Sequence, residues 1–146
     1  MNVRRMLKGT GLPVLALLLF SIAGCGGGDD DEGGVAVTLA DYSVTASPAS
    51  AEPGEVTFDV RNSAGQVHEF VVAKTDLEAD ALPTGDDGDV EEEGSDVMSV
   101  VDEIEDLAGG DDRELTVTLE AGHYVLFCNL PGHYRQGMST DFEVAA

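Results

Sequence analysis

From Val35 onward the apolar residues recur at every second position. Val35, Val37 and Leu39 alternate with Ala36 and Thr38, and Val56, Phe58 and Val60 with Thr57, Asp59 and Arg61. Leu115, Val117 and Leu119 alternate with Glu114, Thr116 and Thr118, and Phe142 and Val144 with Asp141, Glu143 and Ala145. Side chains of a strand point to opposite faces in turn, so this period predicts strands with one face in a core and one in water. Two further strands are expected. Val67–Ala73 would place His68, Phe70 and Val72 on one face, and Gly122–Cys128 would do the same for Tyr124, Leu126 and Cys128. Pro53-Gly54, Asn62-Ser63-Ala64-Gly65 and Ala121-Gly122 supply turns between the runs. The only helical signal is short: Thr75 and Glu78 have capping-box spacing, with Pro83 beyond. The pattern predicts an all-β chain, a small antiparallel sandwich or barrel.

The N-terminus follows another rule. Arg4, Arg5 and Lys8 precede an apolar run, Leu12–Ala23, that is short for a membrane span and suits a secretory leader. It ends in Ile22-Ala23-Gly24-Cys25, which resembles the lipobox of prokaryotic lipoproteins and implies cleavage before a lipidated Cys25. Residues 26–34 contain only Gly, Asp and Glu and read as a tether. The expected organisation is a leader over 1–24, lipidated Cys25 and tether over 25–34, and one domain over 35–146. Such a chain is extracytoplasmic and held to the cell membrane by its lipid.

Charge narrows the partners. The chain has 7 basic and 29 acidic residues, a formal charge of −22. Cleavage removes three of the basic residues and none of the acidic ones, which takes the charge to −25. That balance excludes nucleic acid and favours a basic protein partner. Sixteen of the acids lie between Asp76 and Asp112, where no Lys or Arg occurs. This segment reads as a solvated, partly disordered insertion. A solubility device or a docking patch for a cationic partner would give the same pattern. It lacks the spacing of a calcium-binding loop.

With Cys25 assigned to lipid, Cys128 has no cysteine to pair with, and an exported lone thiol needs burial or a metal. Cys128, His133 and Met138 are spaced C-x4-H-x4-M, a soft thiolate, imidazole and thioether set that suits copper. A blue copper site needs a second histidine. His68 is available, although on its own evidence a histidine on an apolar strand face is more often a hydrogen-bonded core residue.

Together these segments resemble the cupredoxins. Asn62 to Phe70 is similar to that family's N-x-G-x-x-x-H turn and strand, and Gly122 to Met138 to its G-x-Y-x-x-x-C…P-G-H…G-M segment. The ligand spacing looks most like that of rusticyanins and sulfocyanins. The resemblance implies an eight-stranded Greek-key sandwich holding one type 1 copper ion. His68, Cys128 and His133 would lie in the trigonal plane, with Met138 as the axial ligand. It implies a monomeric one-electron carrier, not an enzyme, serving a cytochrome or oxidase. Electrons would pass through His133, framed by Leu130, Pro131, Gly132, Tyr134 and Gly137. Glu69 stands where the family often has Asn or Ser joining the two ligand segments. His123 is expected at the surface, outside the site. The competing reading is a module for copper delivery or storage. A copper oxidase or nitrite reductase would need more histidines than the three present.

Overall fold

A computed structural model describes residues 34–146. The expected leader, Cys25 and nearly all of the tether lie outside the described residues. The described residues fold into nine strands in two packed sheets. The first sheet holds β1 (Gly34–Ala40), β2 (Ser43–Ser47), β4 (Gly54–Asn62) and β7 (Asp112–Leu119), in the order β2-β1-β4-β7. The second holds β3 (Ser50–Ala51), β5 (His68–Thr75), β6 (Met98–Leu107), β8 (Gly122–Phe127) and β9 (Ser139–Val144), in the order β3-β9-β8-β5-β6. Both sheets are mixed rather than antiparallel, because β1 pairs parallel with β4 and β3 parallel with β9. After the β1–β2 hairpin the chain crosses to the other sheet as β3 and returns beside β1 in the same direction. Among the described residues no helix is long and apolar enough to cross a membrane.

The alternating residues meet between the sheets. Val35, Val37, Leu39, Phe58, Val60, Phe70, Val72, Leu119, Leu126 and Phe142 are buried there. The Phe58 ring meets Phe70 and Phe142 edge to face at 5.5 and 5.4 Å. Each such side chain, fully buried, contributes about 1.5–3 kcal/mol.

A second core lies on the outer face of the β5–β8 sheet. Val71, Ala73, Val125 and Phe127 point away from the first core, yet Ala79, Leu82, Val90, Met98 and Tyr134 cover them. Strands β5 and β8 are therefore buried on both faces.

Two expectations about the acidic segment fail. Its C-terminal part, read from sequence as partly disordered, is the ten-residue strand β6, paired with β5. Register shifts at His68/Phe70 and Val72/Ala73 break the pairing. Along β6 only Met98, Ile104 and Leu107 are buried, and their irregular spacing hides the strand from a period-two reading. The helix after Thr75 does not form. The Thr75 hydroxyl accepts the Leu77 N–H at 3.1 Å and donates to the Val97 carbonyl at 2.8 Å, which makes a turn of the capping signal.

Candidate metal centre

The centre is assembled by one strand start and one loop. His68 opens β5, directly after the 62–67 turn. Buried Asn62 holds that turn. Its amide donates to the carbonyls of Gln66 and Leu107, both at 2.8 Å, and its oxygen accepts the Ala64 N–H at 3.0 Å. Every hydrogen-bonding capacity of that side-chain nitrogen is used, so the entry into β5 is fixed.

Cys128 follows β8, and the chain then winds tightly before β9. The Cys128 N–H donates to the Met138 carbonyl at 3.1 Å, and the Met138 N–H to the His133 carbonyl at 3.3 Å. A turn of 3-10 helix, Tyr134–Gln136, ends at Gly137, whose φ of 95° is left-handed and suits glycine. The backbones of Cys128, His133 and Met138 are thus bonded to one another.

Three donor atoms converge. His68 Nδ1 lies 3.2 Å from His133 Nδ1, and Cys128 Sγ lies 3.9 and 3.4 Å from those two nitrogens. With bonds of about 2.0–2.1 Å to nitrogen and about 2.3 Å to sulfur, a trigonal first-row metal would set N···N near about 3.5 Å and N···S near about 3.8 Å. The spacing fits one ion between the three atoms. Met138 is fully buried in the main core and completes the His–Cys–His–Met cluster.

Electrostatics favour a neutral pocket without metal. Burial pushes the Cys128 thiol up, against the backbone N–H groups of Glu69 and Leu130, which favour the thiolate. Burial and the neighbouring His133 push His68 down, partly offset by Asp41. A metal ion would reverse this balance by displacing the thiol proton. His68 Nε2 is buried without a protein partner. Glu69 ties the two segments. Its N–H reaches Cys128 Sγ at 3.3 Å, and its carboxylate accepts the Asn129 N–H at 3.3 Å. Burial, then the charges of Glu92 and Glu103, push the Glu69 carboxyl up to about 7.

No protein-family model and no curated protein matches the chain. Solved structures do match. Reduced auracyanin from the photosynthetic bacterium Roseiflexus castenholzii is 21% identical with a TM-score of 0.56, over 78% of this chain and 98% of that one. Rusticyanin from Thiobacillus ferrooxidans is 19% identical with a TM-score of 0.52, over 77% of each chain. Auracyanin A, a "blue" copper protein from Chloroflexus aurantiacus, is 20% identical with a TM-score of 0.50, over 77% of this chain and 99% of that one.

This is the cupredoxin fold.

Within this cupredoxin fold the two ligand-bearing segments expected from sequence come together, and two side chains, Tyr134 and His123, stand differently. Tyr134 does not frame the His133 edge. It is buried in the second core, its hydroxyl accepting the Leu82 N–H and donating to the Ala79 carbonyl, both at 2.9 Å. Tyr42, unnoticed in sequence, takes that place: its ring meets His133 edge to face at 5.5 Å, from a turn with φ 59°. His123 stays out of the site, but it is partly buried rather than a free surface group. Its Nδ1 pairs with the Thr75 carbonyl at 2.8 Å and its Nε2 with Asp141 at 3.1 Å. Asn129 was also missed. A polar residue after a candidate ligand carries no pattern that foretells its partners.

Proposed function

We propose that the chain is a type 1 copper protein that carries one electron at a time, with His68, Cys128, His133 and Met138 as ligands of a single copper ion. The observation that carries this reading is the convergence of His68 Nδ1, Cys128 Sγ and His133 Nδ1 at trigonal spacing in a buried pocket. When bound, copper would supply a centre that cycles between two oxidation states. The chain's own residues do the rest. Cys128 and His68 are sealed from water, while Glu69 N–H stabilises sulfur charge. The two ligand segments are cross-tied, so the ligands have little room to shift between states.

His133 is the exit. It is the least buried of the four, and Tyr42, Leu130 and Pro131 leave apolar surface around it. Such small patches suit brief redox encounters. The strong negative charge draws a basic redox protein, such as a cytochrome or an oxidase. Lipidation at Cys25 would hold the domain, as a monomer, at the outer face of the cell membrane. The burial of Cys128, His68 and Met138 favours a retained cofactor over copper delivery.

Addition of Cu(II) to the purified protein tests the reading. A carrier shows an intense thiolate-to-copper band in the visible, narrow copper hyperfine splitting, and a reversible one-electron wave. Cys128→Ser abolishes the band. A colour that survives that change would sink the ligand assignment. Rapid loss of Cu(I) to a chelator would instead favour delivery.

A further inference from the structure

Residues 76–93 cross the outer face of the β5–β8 sheet and end against the 129–137 loop. Their contacts with it are unusually specific. The Asn129 side chain reads the backbone of Val90 in both directions. It accepts the Val90 N–H at 2.7 Å and donates to the Val90 carbonyl at 3.0 Å, as a neighbouring strand would. It also donates to Glu92 at 2.8 Å. Asp89 accepts the Gly132 N–H at 2.9 Å. The Tyr134 hydroxyl bonds Leu82 and Ala79. Gly88, at φ 84°, lies so close beneath the Arg135 guanidinium that a Cβ there would collide with it. Underneath, Ala79, Leu82 and Val90 pack on Phe127 and Tyr134.

We propose that segment 76–93 is a strap that holds the ligand-bearing loop in its working shape, with Asn129 as the positioning residue. Asn129 is suited to that role because it is joined to three places at once. It follows Cys128 in the chain, its N–H is taken by Glu69 on β5, and its amide is taken by the strap. A water-filled gap in its place would leave only Asp89 and the Tyr134 hydroxyl to bond the strap to the loop. The strap's grip on the loop stands independently of what the loop binds. Its value for copper rests on the proposed function.

Amide hydrogen exchange on the metal-free protein, read by NMR, tests the grip. In Asn129→Ala the amides of His133, Gln136 and Gly137 exchange roughly tenfold faster, the effect of losing a little over 1 kcal/mol of local hydrogen bonding. Amides of Val60 and Val117, in the far sheet, keep their wild-type rates. Loop rates within about twofold of wild type, or an equal rise at all amides, would overturn the proposal. Should Asn129→Ala not fold, Asp89→Ala, at a half-buried position, carries the same test through the Gly132 amide. A second arm uses copper-loaded protein. Asn129→Ala should release copper to a chelator roughly tenfold faster and widen the Cu(II) hyperfine splitting. Wild-type release with a wild-type spectrum would remove the strap from any role at the site. If the wild-type protein takes up no copper, the copper reading fails, and the exchange rates still decide whether the strap holds the loop.

Discussion

Asn62→Ala removes a side chain that no water reaches and that serves three backbone groups. The Leu107 carbonyl is buried, so losing its 2.8 Å partner leaves an acceptor with nothing to bond. An unsatisfied buried group of this kind costs about 1–3 kcal/mol. The Gln66 carbonyl and Ala64 N–H are only part-buried and can turn to water, so each of those bonds is worth about 0.5–1.5 kcal/mol. Their sum is about 4 kcal/mol, a large share of the roughly 5–15 kcal/mol that holds a domain together. For a domain of this size the melting temperature should fall by roughly 15–20 °C. Urea unfolding of the metal-free protein, followed by far-UV circular dichroism, measures the change directly, and the slope with urea should not alter. Asn62→Asp is expected to do no better than alanine. It retains the acceptor for Ala64 but turns oxygen toward the Leu107 carbonyl. A loss below about 1 kcal/mol for alanine would refute the argument that this one amide fixes the entry to β5.

Three further outcomes follow from the same structure. Tyr134→Phe keeps the ring against Phe127 but strips the hydroxyl from Leu82 and Ala79, and should lower stability by about 1–3 kcal/mol in the same unfolding assay. His123 is pulled down by burial, yet its bonds to Thr75 and Asp141 and the charges of Glu143 and Asp141 hold it above its ordinary 6.5. Its stabilising contribution is therefore complete below 6.5 and is lost as pH rises through the raised native value. The difference between wild-type and His123→Gln unfolding profiles should shrink over that range, and a flat difference would refute it. Met138→Leu conserves volume and should cost less than about 1.5 kcal/mol without metal. With copper it should change the reduction potential while the visible band survives, which cyclic voltammetry and absorption spectra would show.

The strands with one wet face were legible because their chemistry alternates: β1, β4, β7 and β9 stand where the period-two runs fall. β6 was not, since its partner β5 is bulged in two places and few of its residues reach a core. The second core escaped for a related reason. Val71, Ala73, Val125 and Phe127 sit on the expected outer face, and nothing local says that Leu82 and Val90, far along an acidic segment, return to cover it. At the site, Cys128, His133 and Met138 were readable as a spacing on one loop. His68 was readable only beside them. Tyr42 and Asn129 act through contacts between segments distant in sequence, 91 residues apart in the first case and 39 in the second. No single-segment pattern encodes such contacts.

The acidic segment also changes what the sandwich can do. A cupredoxin sheet packed on one face would hold β5 and β8 by their inner side chains alone, leaving the outer face to water. Here both faces are packed, and the two asparagines grip the ligand segments from opposite ends: Asn62 before His68, Asn129 after Cys128. Glu69 then joins the segments directly, N–H to sulfur and carboxylate to the Asn129 amide. Close-packed interiors resist small displacements, because each shift opens gaps or overlaps elsewhere. A ligand set clamped in this way would meet either oxidation state of a bound ion with nearly the same geometry. Fast, repeated one-electron exchange requires that constancy, whereas a delivery site, which must open to release its ion, would be hindered by it.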